Sequence, residues 1–314
     1  MADKNDFGPD DVRLMQGLAQ QVTALRPELV NIEATVGELA WIWGKDNADL
    51  GHTWRRRLWY ADGALVGWGW VYLPYRVARS DGQFLEVRNA NLAWQVHPEH
   101  PQVLDDILDW YDTEAGTADR HVAARAADDN AIGRLAAHGY VHDAEAASDT
   151  GLWCQFNARD LADVPDPVLP AGFRFLTADE ITPEAAAQAH RDAWHPSSFT
   201  DHGMADVSRM WPYRPDLHVL VAAPDRTLVA TTITWLDEQN GTAEFEPVGT
   251  HQGYRRQGLN TALLYFGMRQ ARAAGATRML VACLGAPAYP AARHLYEGVG
   301  FREFTRDVPH LRRA

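Results

Sequence analysis

Short alternating apolar runs, bounded by turn residues, divide the chain into two halves of similar plan. Leu58–Tyr60, the pair Asp62-Gly63 and Ala64–Leu73 read as a hairpin, because Asp-Gly supplies the positive φ of a tight two-residue turn. His218–Ala223, Pro224–Thr227 and Leu228–Leu236 repeat that plan. Each hairpin is followed by a third strand candidate, a helix, a further segment and a Gly-aromatic pair, Gly139-Tyr140 or Gly300-Phe301. The halves look like diverged copies of one unit. Between them Ala158–Gly172, with Pro165, Pro167 and Pro170, has no apolar period and reads as an extended linker. The expected organisation is a domain over 1–160, a linker over 161–171 and a domain over 172–314.

The second half is read in more detail: strand Phe173–Leu176, helix Glu184–Trp194, a loop and short helix to Trp211, and then the hairpin. Strand Thr242–Thr250, helix Gln257–Ala274, strand Arg278–Leu284, helix Ala291–Val299 and strand Phe301–Asp307 follow. Leu259, Leu263, Phe266, Gln270 and Ala274 keep helical spacing, and Gly275 is placed to cap them. Strands first antiparallel, then joined through helices, imply an α/β fold with a mixed sheet and helices on both faces.

Composition narrows the class. The 314 residues are 46% hydrophobic and 23% charged, near the globular average, so each half can bury a core. Two cysteines, Cys154 and Cys283, are too few for a disulfide scaffold, and a reducing cytoplasm is the expected compartment. Acidic residues at the start, Asp3 and Asp6 among them, do not suit a signal peptide, and no run reaches the roughly 20 apolar residues of a membrane helix. The net charge of −13 lies in the first half, where residues 1–171 carry 14 basic and 27 acidic side chains against 15 and 15 in 172–314. That balance argues against nucleic acid and anionic membranes as partners. It suits a cationic acceptor, or simply a solvated acidic surface.

The most informative run is Glu244–Asn260, a strand ending in a tight, Arg- and Gly-bearing turn that feeds a long helix. Unpaired backbone N–H groups at a helix start, with the positive end of the helix dipole, form an anion site. Gly258 lets the backbone approach phosphates closely, and Arg255 and Arg256 add charge.

This arrangement resembles the acyl-CoA pyrophosphate loop of the GNAT acyltransferase superfamily, Gln/Arg-x-x-Gly-x-Gly/Ala. It stands here as Arg255-x-x-Gly258-x-Asn260, with Asn in place of a small residue. Ala292–Phe301, containing Leu295-Tyr296 and Gly300-Phe301, is similar to the family's later helix and strand, with Tyr289 where Asn is usual. The resemblance covers 172–308. It implies two tandem GNAT-like domains, each a mixed, mostly antiparallel sheet with a splayed parallel strand pair, and a co-substrate that is acetyl-CoA or another short acyl-CoA. The donor residues it implies are the backbone of Val248 and Thr250 for the pantetheine arm, with Arg255, Arg256, Gln257, Gly258, Leu259 and Asn260 at the diphosphate. It further implies Glu244 as general base, with Glu246 as its rival on the same strand face, and Tyr296 as the acid that protonates the departing thiolate. No metal is implied. Trp194, His195, Trp211 and Tyr213, between the first strand and the hairpin, are candidates for the wall of a small-molecule amine site, or for packing against the first half. The implied activity is N-acyl transfer to an amine; an acyl-CoA-binding pseudoenzyme or sensor is the alternative.

Aligning His97 with His251 puts Pro101 at the Arg255 position, Leu104 at Gly258 and Ala90 at Glu244, with Asp105 and Asp106 where a diphosphate would approach, and aligning Gly139 with Gly300 puts Leu135 at Tyr296. The first half therefore reads as degenerate, kept for structure or acceptor binding. His97 and His100 lack further metal ligands and read as a turn. Cys283 reads as a buried, inert thiol. Trp41/Trp43 and Trp68/Trp70 repeat at strand spacing and are expected in the core or at the domain interface.

Overall fold

The computed structural model describes residues 7–314. The first half runs α1 (Pro9–Leu25), α2 (Val36–Leu50), β1 (Trp54–Ala61), β2 (Ala64–Tyr72), β3 (Tyr75–Ala78), β4 (Phe84–Val87), β5 (Ala90–Val96), α3 (Val103–Ala115), β6 (Arg120–Arg125), α4 (Asp129–Ala137), β7 (Val141–His142) and β8 (Cys154–Asp160). The second runs β9 (Arg174–Thr177), α5 (Pro183–Ala193), α6 (Asp201–Val207), β10 (His218–Ala222), β11 (Leu228–Asp237), β12 (Thr242–Thr250), α7 (Leu259–Ala273), β13 (Arg278–Leu284), α8 (Pro290–Gly298) and β14 (Arg302–Arg312). Both hairpins form where Asp62-Gly63 and Pro224–Thr227 place them, and both Asp62 and Gly63 take positive φ.

A 12-stranded sheet in the order β1-β2-β5-β6-β14-β8-β13-β12-β11-β10-β9, with β7 beside β14, runs through both halves. The halves exchange their terminal strands. β8 pairs with β13 from Arg278↔Asp160 to Leu284↔Cys154, and β14 pairs with β6 from Asp307↔Arg125 to Arg312↔Arg120. The connection over 161–171 holds no helix or strand, but Ala158–Asp160, read as the start of the linker, end β8, which lies in the second half's sheet. Each half contains one parallel pair that separates early. β5 and β6 pair only from Ala90↔Arg120 to Leu92↔Val122, and β12 and β13 only from Thr242↔Arg278 to Phe245↔Val281.

The largest shared core joins the halves. Val12, Met15, Leu39, Trp41 and Trp43 from α1 and α2 cluster with Trp68 and Trp70 of β2, and with Phe199, Met204, Ile233 and Trp235 of the second half. Trp68 and Trp70 lie on a strand, as expected. Trp41 and Trp43 do not: both belong to α2. Residues two positions apart on a helix point nearly opposite ways, and α2 is buried on opposite sides. Trp41 packs on His190 and Phe199, and Trp43 on Trp54 and Trp70. The helix comes so close to β11 that a Cβ on Gly37 would lie 2.5 Å from the Trp235 ring.

The strand exchange carries one buried ion pair. Arg125, 0% exposed, donates to Asp307 Oδ1 at 2.5 Å, and burial lowers the pKa of Arg125 while raising that of Asp307. Removing one partner leaves the other charge uncompensated, which costs about 3–5 kcal/mol. Asp307→Ala is therefore expected to lower unfolding free energy by that amount in urea titrations. A loss below about 1 kcal/mol would show that the junction does not depend on the pair.

Candidate active site

The turn between β12 and α7 is built to leave donors free. His251 accepts the N–H of Gly253 at 3.1 Å and starts a short 3-10 turn over Gln252–Tyr254. Arg256 and Gly258 then take positive φ, at 62° and 79°. Glycine meets the second requirement without steric cost, and a Cβ there would point into open space. Gly258 caps α7 without a side-chain bond, and its carbonyl accepts from Ala262 at 3.0 Å. Among the described residues, no backbone carbonyl accepts from the N–H groups of Leu259, Asn260 or Thr261. They converge at the positive end of a 15-residue helix, an arrangement that fits a diphosphate.

Two side chains act here differently from expectation. Arg255 donates to Thr250 O at 3.2 Å and Ala193 O at 3.3 Å, tying the turn to its own strand and to the end of α5. Asn260 accepts the Thr250 hydroxyl, pinning the helix start to the strand end. Arg256 and Gln257 stand exposed on the turn, and Leu259 is buried.

The separation of β12 from β13 leaves a strand edge open beside this turn. His251 N–H bonds Val229 O at 2.8 Å, so alternation along the ladder turns the backbone groups of Val248 and Thr250 the other way, toward the gap. Two carboxyl groups sit on the same strand. Glu244 is 5% exposed and its Oε2 has no hydrogen-bond partner. Burial pushes its pKa up to about 8, against a bond from the Thr35 hydroxyl that favours the carboxylate. Glu246 is partly exposed, and burial together with the Glu244 charge pushes it up to about 8, while Lys45 opposes the rise.

Tyr296 lies on α8, 6% exposed, its ring 5.9 Å from Phe301. Burial, then the Glu246 charge, raises its pKa, so the phenol keeps its proton at neutral pH. Cys283 accepts from Asn157 Nδ2 at 3.5 Å and is pushed by burial to about 11, which keeps it a thiol. Tyr289 sits at the N-cap of α8 and its hydroxyl donates to Thr150 O at 3.3 Å, a contact between halves.

The four aromatic candidates separate. Trp194 stacks on His190 with ring centres 4.3 Å apart and covers Gly249 of β12, where a Cβ would lie 2.3 Å from its ring. His195 is 3.5 Å from Ser80 Oγ, in a segment also held by Arg79 and Ser80 of the first half. Trp211 lies under the guanidinium of Arg13 at 3.8 Å, and its carbonyl accepts from Gln16. Tyr213 bonds buried His218 at 3.0 Å. Trp194 thus borders the open strand, whereas His195 and Trp211 serve the packing of the halves.

Two residues missed in the sequence come from the first half. Thr35 caps α2, accepting Glu38 N–H at 3.0 Å, and its hydroxyl favours the Glu244 carboxylate. Glu38, one turn into that helix, feels the Glu246 charge, and burial raises its pKa further than that charge does. Thr35-x-x-Glu38 is a helix-start signature readable from sequence; its proximity to Glu244 is not.

The first half has no comparable anion turn. Val103, Leu104 and Asp105 N–H groups are already bonded to His100, Pro101 and Gln102 carbonyls, and Asp105 and Asp106 occupy the helix start. His97 Nδ1 accepts from Glu99 N–H, as a turn histidine does. Among the described residues no three His, Cys, Asp or Glu side chains group as metal ligands, and no helix is long and apolar enough to cross a membrane.

Residues 184–301 match the family model described as the acetyltransferase (GNAT) family. Nearly the whole chain is similar in structure to a GCN5-related N-acetyltransferase from Sphaerobacter thermophilus (TM-score 0.60, 19% identity, 98% of this chain and 93% of that one). A tandem GNAT protein from the clavulanic acid biosynthesis pathway is similar over 98% of this chain and 96% of its own (TM-score 0.58, 15% identity). A GNAT-family acetyltransferase from Colwellia psychrerythraea is similar over 93% and 96% (TM-score 0.52, 13% identity). The curated proteins contain no sequence match. The second half carries a GNAT-family domain, and the chain as a whole has the tandem GNAT fold.

Two outcomes follow for donor binding. Calorimetry should give one acetyl-CoA per chain; two equivalent sites would contradict the closed helix start of α3. Gly258→Leu, which places a bulky side chain at φ 79°, should weaken acetyl-CoA binding tenfold or more, and unchanged affinity would remove this turn from the donor site.

Proposed function

We propose that the protein is an N-acyltransferase that takes an acetyl or other short acyl group from acyl-CoA and passes it to an amine of a small molecule within a ternary complex. The observation that carries this reading is one strand, β12, with an open edge, two carboxyls of raised pKa, Glu244 buried and Glu246 partly exposed, and a free helix N-terminus at its end. Bound acyl-CoA supplies the electrophilic thioester; the free N–H groups of Leu259, Asn260 and Thr261 would hold its diphosphate, and the Val248 and Thr250 backbone its pantetheine amides.

A primary amine of ordinary pKa, about 10.4, is overwhelmingly protonated near neutrality, yet only the free base attacks a thioester. A carboxyl whose pKa is raised toward 8 is a far better proton acceptor than one at 4.5. Glu244 or Glu246 takes the amine proton, directly or through one water. Tyr296, kept protonated by its surroundings, returns a proton to the leaving sulfur. A protein that only senses acyl-CoA would release no free thiol with any amine.

Glu244→Gln and Glu246→Gln, assayed by thiol release from acetyl-CoA with a panel of amines, identify the base. Losing it should lower kcat about 10²- to 10⁴-fold with the KM for acetyl-CoA nearly unchanged. A carboxyl accepts a proton only above its own pKa, so kcat/KM of the unmodified protein should rise through about pH 8. That limb should vanish in the variant lacking the base. Normal rates and an unchanged limb in both variants would mean that the protein supplies proximity alone.

A further inference from the structure

The open strand does not face solvent alone. The N-terminal end of α2, from the first half, abuts β11 and β12, with Gly37 against Trp235 and Thr35 beside Glu244. Trp235 fixes the other side of the arrangement, pairing with Glu244 across the ladder and donating its indole N–H to Glu246 O at 2.6 Å. Glu38 therefore joins Glu244 and Glu246 in one group of three carboxyls contributed by both halves. Each feels the negative charge of another member, and burial raises all three pKa values. The nearby cation, Lys45, is already paired with Asp46. Glu244 Oε2, in a residue 5% exposed, has no partner.

The charge balance of the reaction sharpens this. With pKa values raised to about 8, the strand carboxyls hold protons near neutrality, and a carboxyl that holds its proton cannot act as a base; a neutral attacking amine brings no charge that would favour their ionisation. A second, unreacting ammonium on the same molecule would supply the missing positive charge. Resting on the transferase reading above, we propose that the acceptor is a short aliphatic diamine or longer oligoamine, with Glu38 of the first half binding its distal ammonium while the proximal amine meets Glu244 and Glu246. The first half is then a specificity-determining part of the acceptor site.

The test is titration of the full chain with 1,4-diaminobutane and with n-butylamine, with and without coenzyme A. The diamine is expected to bind at least tenfold more tightly than the monoamine. Glu38→Gln should weaken diamine binding tenfold or more and change butylamine binding less than twofold. Equal affinities, no diamine binding in either condition, or an equal loss for both amines in the variant would overturn the proposal. Thermal melts check that the variant folds; if it does not, the diamine-to-monoamine ratio of the unmodified chain decides the matter alone. Selective diamine binding without thiol release from acetyl-CoA would leave this site standing and overturn the transferase reading. Thiol release with no preference for the diamine would do the reverse.

Discussion

The parallel ladder between β12 and β13 stops at Phe245↔Val281, and the chemistry proposed for the molecule depends on that break. A continued ladder would consume the backbone groups of Val248 and Thr250 and close the space beside Glu246. Because β12 leaves its neighbour, its end is free to turn at His251, and the positive φ of Arg256 and Gly258 aims an uncapped helix start back across the gap. The cost of the lost strand bonds is limited because the opposite edge of β12 stays paired with β11 to Thr250↔Ala230. In the first half the corresponding pair separates as early, but its helix start is sealed by its own turn. On the proposed reading, strand separation alone therefore makes no donor site; it needs unsatisfied N–H groups beside it.

The carboxyls of β12 owe their raised pKa values to the other half of the chain. Helix α2 lies within the core that joins the halves and packs against β11 and β12, and desolvation is the leading cause of the shifts at Glu38, Glu244 and Glu246. Burying such groups works against stability. The apolar contacts of Trp41, Trp43, Trp70 and Trp235 around the same helix, together with the exchanged strands β8 and β14, hold the halves in place against it.

Much of this was legible in the sequence where a local rule decides the outcome. Thr242–Thr250 and Arg278–Leu284 form as strands over the expected bounds, and the Gly258 turn follows from a conformation few other residues adopt. Other features depend on contacts that local pattern does not encode. Trp41 and Trp43 have strand spacing because α2 is buried on both sides, which erases the single apolar stripe of a surface helix. Arg255 suggested an anion ligand, yet the nearest acceptors are two backbone carbonyls. The exchange of β8 and β14 is invisible because alternation defines a strand and not its neighbour, and Thr35 and Glu38 reach Glu244 across some two hundred residues of chain.

Site-resolved hydrogen exchange with and without acetyl-CoA tests the central claim most directly, that the open edge of β12 and the start of α7 form the donor site of the molecule. Slowed exchange is expected at the amides of Val248, Thr250, Leu259, Asn260 and Thr261, with those of Val103, Leu104 and Asp105 unchanged. Protection confined to the first half, or none at either helix start, would contradict the account.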